Sequence, residues 1–477
     1  MIQCSAILLE AIPLSLRVVE VLGVWGLIPP LGVGGLWLLW ALIIVSSLVL
    51  FLISPYAKNT KQFFKAEHKQ KAPNTFMLMG SLVISWIFAK SITNAANLGL
   101  EFGIVGGVAY AAYYLSFAVA GIIIYKMRTQ GKFTSIHHFL TSKFGRSAVA
   151  IFSILIAIRL FNEVWSNTMV IGSYFGDVGS SAYYWSIVLF TILTLAYVLK
   201  GGMSSSIFTD IIQMGLFAVL LAVILGVIFN SETSVSVKEV AFSGSWTFDM
   251  GLNMFFAAVL QSLSYPFHDP VLTDRGFLSS PKITLKSFLW ASVIGAICII
   301  LFSIIGVYAQ AKGMQGQAAV EVGKAFGVVI LLVINFIMIT SAASTLDSTF
   351  SSFAKLLALD LKLGNTLKFG RWSMVLIAFL GTIPVFLDAE ILSATTISGT
   401  MVIGLTPIFM FWKDKAPKLS FHLSVLCGII FGFLLVFEIF PHQLIFTEGK
   451  YADLLWINFW GILSCILLYF IPVWIKK

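Results

Sequence analysis

Residues 339–360, ITSAASTLDSTFSSFAKLLALD, place Ser341, Ser344, Thr345, Ser348 and Ser352 at helical spacing on one face, with Asp347 in their midst. Hydroxyl oxygens and the carbonyls of an unwound neighbouring helix can replace the water around a hard cation at little cost in charge. A stripe of small hydroxyl residues also lets helices approach closely in a bilayer, so packing is the competing use of the same face. The carboxylate is harder to dismiss. A charge in an apolar segment costs at least a few kcal/mol and is by default buried against other helices or water as part of a site.

Two further segments mix polar side chains into apolar surroundings. SWIFAKSITNAANLGLEFG (85–103) carries Lys90, Ser91, Thr93, Asn94 and Asn97, and VLQSLSYPFHDPVLTDRG (259–276) carries Gln261, Ser264 and Pro266. Pro266 removes a backbone donor, so the second segment reads as an interrupted helix. Glu163, in IRLFNEVWSNTMVIG, is either a substrate ligand or the partner of Arg159 one turn earlier. Lys90 has three open readings: an ion pair with Glu163 or Asp347, a receptor for an acidic group of a solute, or a stand-in for a coupling cation. His268, Asp269, Asp274 and Arg275 read as a gate or salt-bridged loop rather than a metal or diphosphate site, because only one such cluster occurs.

The elements that position these residues follow from composition. With 59% hydrophobic and 11% charged residues in 477, the chain has too little polar surface to cover a soluble globule and reads as an all-α polytopic membrane protein. Thirteen apolar stretches between residues 35 and 473 have the length of membrane helices. Lysine and arginine gather in alternate loops, at 54–75, 126–147, 269–286, 355–371 and 413–418 among others, whereas the intervening loops hold Lys238, Lys312, Lys324 and Lys450 alone. By the positive-inside rule the basic loops and the C-terminus are cytoplasmic, in a cell or inner membrane. The net charge of +9 therefore reports topology and not a nucleic-acid partner. The four cysteines show no metal or disulfide spacing, and no phosphate-binding glycine loop is present.

Organisation follows from the spans. Residues 1–34 read as an apolar or interfacial segment, 35–53 as an extra helix, 76–229 and 251–412 as two five-helix blocks, and 420–473 as two peripheral helices. Because five is odd, the second block enters the membrane inverted relative to the first, an arrangement of many secondary transporters whose sites lie at the repeat interface. The unusual segments 85–103 and 259–276 each lie in the first span of their block.

Three stretches, GKFTSIHHFLTSKFG (131–145), YVLKGGMSSSIFTDIIQ (197–213) and ASTLDSTFSSFAKLLALD (343–360), together resemble the sodium:solute symporter family, whose members carry proline, sugars, sialate, pantothenate and urea. The resemblance implies a LeuT-type 5+5 inverted repeat with about 13 transmembrane helices and its core at 76–412. It also implies a sodium ion held by Ser344 and Thr345 with the backbone carbonyls of Ser341, Ile87 and Lys90. A second sodium or an exit route falls at Asp210, Asp347 and Ser348. Substrate contacts fall on Asn94, Tyr113, Glu163 and Gln261, with Lys90 beside them. Lys90 departs from the family pattern, since a small or apolar residue is usual there.

The expected function is sodium-coupled symport of a small polar organic solute, without enzymatic chemistry. The alternatives are a proton-coupled or sodium-independent carrier in which Lys90 replaces the cation, and a solute sensor on a carrier scaffold. The solute, the stoichiometry and the oligomeric state stay open.

Overall fold

A computed structural model describes residues 33–67, 72–231, 234–387 and 399–475. Among them the chain is helical with no strand. The expected interfacial segment 1–34 lies almost wholly outside the described residues, as does the first part of the expected span 391–412. Nine described helices are long and apolar enough to cross a membrane, and a tenth is added if one bent pair counts as a single span. Of the remaining three expected spans, 251–268 is broken, and 35–53 and 391–412 are only partly covered by the residues to which that test applies.

Helix α1 (Val33–Ile53) precedes a broken pair, α2 (Thr75–Trp86) and α3 (Ala89–Phe102), bent by 64°. Asn74 starts α2 by accepting from the Met77 amide at 2.9 Å, satisfying one of the donors a helix start leaves open. Ile87 and Phe88 leave helical geometry, although neither is glycine or proline. The freed Trp86 carbonyl accepts from the Tyr114 hydroxyl at 3.0 Å, so the break is stabilised by tertiary contact.

Next come α4 (Ile104–Thr129), α5 (Arg146–Ser173), α6 (Ser181–Gly201) and α7 (Met203–Asn230). Gly202 joins α6 to α7 at φ 59°, and a Cβ there would lie 2.5 Å from the Phe63 carbonyl oxygen, so this position needs glycine twice over.

A second interrupted segment follows: α8 (Leu252–Gln261), α9 (Tyr265–His268) and α10 (Pro270–Arg275). Here local sequence explains the break. Pro270 disfavours helical geometry at Asp269, which is extended and caps α10 by accepting from the Val271 and Leu272 amides.

Then come α11 (Pro281–Ala311), α12 (Val328–Lys355), ending in a wider turn at Leu356–Asp360, α13 (Leu367–Thr382), α14 (Leu405–Met410), α15 (Lys418–Val436) and α16 (Ala452–Ile475). Helices α3 and α11 pack backbone to backbone. A Cβ on Gly99 would strike the Ser303 carbonyl, and one on Gly306 the Ala96 carbonyl. The polar centre lies where α12 meets α2, α3, α5, α6, α7 and α10. From Ile337 to Ala354 every residue of α12 is buried.

Candidate functional site

The hydroxyl face of α12 turns inward. Ser344 donates to Asp210 Oδ1 at 2.5 Å, and Thr345 donates to the Ser341 carbonyl at 2.9 Å, so predicted oxygen ligands lie side by side. The Ser341 hydroxyl is buried and has no hydrogen-bond partner among the described residues. A buried polar group without a partner is costly, and a cation is one species that satisfies an orphaned oxygen. Ile87 lies at the break between α2 and α3, and α12 packs on both. Of the two expected backbone donors, Ile87 lies at the break, whereas Lys90 lies within the first turn of α3. Ser344 and Thr345, with the carbonyls of Ser341, Ile87 and Lys90, are the oxygen donors that would hold a hard cation.

The neighbouring oxygens are arranged differently. Asp210 on α7 accepts from Ser344, from Ser81 and from the guanidinium of Arg275, 3.0 Å away, and both members of that ion pair are fully buried. Arg275 Nη2 also donates to Ser348 at 2.8 Å and Ser85 at 3.1 Å, its Nε donates to Ser81 at 2.7 Å, and its Nη1 to the Val271 carbonyl at 3.1 Å. Asp347, fully buried, accepts from Tyr197 at 2.8 Å, Ser206 at 2.7 Å and Thr209 at 3.0 Å. Among the described residues it has no ion pair, and it reaches Arg275 through Ser348, which donates to it at 3.3 Å. The sequence pattern placed Arg275 in a loop at a helix exit. The fold turns it back into the hydroxyl cluster.

A second charged cluster lies around α5. Lys90 donates to Glu163 at 2.9 Å and to Ser166 at 3.2 Å. Glu163 also forms an ion pair with Arg159 and accepts from Asn167 at 2.9 Å. Arg159 extends the chain of charges to Asp269 at 3.4 Å, and Asp269 accepts from the Trp86 indole at 2.8 Å. Two cations thus meet two carboxylates, all at most 5% exposed, which is how charge is tolerated away from water. Both expectations for the partner of Glu163 coexist, since it binds Lys90 and Arg159 together. The cluster ties α3 through α5 to the break between α9 and α10. Asp269 and Trp86 were not singled out for this role from sequence, because their partners lie far along the chain.

Two cavities flank this cluster. One of about 250 Å³ is lined by Lys90, Asn94, Tyr113 and Gln261 and runs outward to Glu101 and Lys450. Tyr113 donates to Gln261 at 2.7 Å, and the Asn94 amide contacts the Tyr110 hydroxyl at 3.5 Å. Glu163 lies behind Lys90 and is not part of the lining. The other cavity, about 370 Å³, is lined by residues of the basic loops and of α10, including His137, Asp274, Lys355 and Asp360. Lys355 bridges Asp274 at 2.5 Å and Asp360 at 3.2 Å there. Trp86 and Tyr265 line the first cavity and Pro270 lines the second, so residues of the interrupted segments border both.

No family model and no curated protein sequence matches the chain. Solved structures do match it in fold. A Na+-coupled sialic acid symporter, substrate-bound and outward-open, superimposes with TM-score 0.68 at 15% identity over 91% of this chain and 96% of the other. Mhp1, a nucleobase-cation-symport-1 family transporter closed around bromovinylhydantoin, gives 0.56 at 14% identity over 89% and 95%. MhsT in complex with L-phenylalanine gives 0.53 at 14% identity over 83% and 97%. These are transporters of the LeuT fold, and that fold is shared by the present chain.

Proposed function

We propose that the protein is a secondary active transporter that moves a small polar organic solute by alternating access, with sodium as the coupling ion. The observation that carries the reading is the pair of cavities bordered by interrupted helices. A cavity reached from one face and a second reached from the other, with the barrier built from breakable helices, is the requirement for moving a solute without opening a continuous pore. The two five-helix blocks would supply the inverted repeat. The solute would lie against Lys90, Asn94, Tyr113 and Gln261.

Sodium would sit at Ser344, Thr345 and the carbonyls of Ser341, Ile87 and Lys90, joining α12 to the first interrupted helix. The orphaned Ser341 hydroxyl and the all-oxygen donor set support this placement. One sodium entering down a potential of 100 mV releases about 2.3 kcal/mol, enough for roughly fiftyfold accumulation before any concentration gradient is counted. Lys90 does not replace that ion in this reading, because Glu163 and Ser166 hold its ammonium in the α5 cluster.

The test is a thermal-shift titration of purified protein with sodium against potassium and choline at equal ionic strength. Sodium-selective stabilisation lost in Thr345→Ala is expected. Equal responses to the three cations would remove sodium from the proposal and leave the carrier reading to uptake assays.

A further inference from the structure

We infer that Arg275 is a resident cation filling the place that the family resemblance offered to a second sodium ion. That site therefore takes no dissociable ion and is made and broken by movement of α10. The inference rests on the carrier reading above for its consequence, but its geometry is independent of it.

The residues expected around a second sodium were Asp210, Asp347 and Ser348. The guanidinium of Arg275 bonds two of them directly, Asp210 at 3.0 Å and Ser348 at 2.8 Å, and meets Asp347 through Ser348. Ser81 and Ser85 of α2 complete the shell at 2.7 and 3.1 Å. Every one of these residues is fully buried. A sodium ion among these oxygens would face a fixed positive charge at hydrogen-bond distance from the same ligands, and in a dry interior that repulsion is strong. The donor set thus fits a guanidinium and does not fit sodium beside it. Planar N–H donors that spread over several oxygens are what arginine offers and a spherical ion does not.

The charge is tethered. Arg275 ends α10, and its Nη1 is pinned to the Val271 carbonyl of the same helix at 3.1 Å. It cannot leave for bulk water alone; it leaves only if α10 moves away from α2, α7 and α12. In the state described here the guanidinium joins those four helices on the basic-loop side of the barrier. The cost of uncoupling Arg275 from Asp210 would then be part of the barrier to opening the larger cavity, in place of the release of an ion.

The experiment uses the purified full chain in detergent and two readouts. Radioactive sodium bound per chain is measured for wild type and Asp347→Asn, and melting temperature is measured with millimolar guanidinium, sodium or choline for wild type and Arg275→Ala. Sodium bound by the wild type should be unchanged in Asp347→Asn, and Arg275→Ala should lose melting temperature and recover part of it with guanidinium while the wild type does not respond. Loss of a bound sodium in Asp347→Asn, or a folded Arg275→Ala that ignores guanidinium, overturns the inference. If the wild type binds no sodium, the inference stands and sodium coupling falls. If Arg275→Ala gives no folded protein, Asp210→Ala/Arg275→Ala decides: it should fold and melt above Asp210→Ala, and a double variant that does not fold, or that melts below Asp210→Ala, would refute the pairing.

Discussion

Replacing Asp210 by asparagine should damage the protein far more than the same change at Asp347, although both carboxylates are fully buried and share a cluster. Asp210 is the direct counter-charge of Arg275 at 3.0 Å, and the guanidinium has no other ion-pair partner among the described residues. Asparagine preserves shape but leaves the buried guanidinium without a carboxylate in direct contact, and breaking such a pair costs about 3–5 kcal/mol in comparable cases. Asp347 accepts from three hydroxyls of α6 and α7 and has no ion pair among the described residues. One guanidinium cannot balance two carboxylates, so Asp347→Asn removes charge from a cluster that has an excess of it. The loss there is confined to weakened hydrogen bonds, about 1 kcal/mol in net terms. Unfolding in mixed detergent micelles would measure both variants against wild type, with a difference between them of about 3 kcal/mol expected. Equal destabilisation, or an Asp210→Asn variant within about 0.5 kcal/mol of wild type, would refute the charge accounting.

Other consequences are more local. Lys90→Gln should leave the protein folded, because Glu163 keeps Arg159 and Asn167, yet abolish most uptake; normal uptake would remove Lys90 from the solute site. Gly306→Ala should lower stability by at least about 2 kcal/mol, since its methyl group meets the rigid Ala96 carbonyl of α3 rather than a side chain that can yield; an unchanged melting temperature would contradict the close packing of α3 on α11. Thr345→Ala should weaken apparent sodium affinity tenfold or more while protein abundance changes little, as read from sodium-dependent stabilisation beside expression level.

Much of the architecture could be read from residue order because the bilayer imposes simple demands. Apolar length marks the long helices, and Pro266 marks the second interruption, whose break at Asp269 is set by Pro270. The first interruption was suggested only by its polar content: nothing at Ile87 or Phe88 forbids a helix, and the break depends on Tyr114 capturing the Trp86 carbonyl. The hydroxyl stripe of α12 was legible as a face, yet its partners were not. Arg275 lies 65 residues from Asp210 and 73 from Ser348, and its position beside a cluster of exit-loop charges suggested a gate. Only the fold returns its side chain to the buried oxygens. Glu163 illustrates a different limit. Its spacing from Arg159 predicted one partner and the resemblance predicted a contact with solute, whereas Lys90, 73 residues away, shares the carboxylate and stands between it and the cavity.

The claim on which the account turns is access from two opposite faces in alternation. Membrane-impermeant thiol labelling would test it, with Asn97→Cys in the smaller cavity and Leu359→Cys in the larger, each in a cysteine-free background and in sealed vesicles of both orientations. The account predicts that the two positions label from opposite sides and that sodium raises labelling of residue 97 while lowering that of residue 359. Labelling of both from the same side, or parallel changes with sodium, would contradict it.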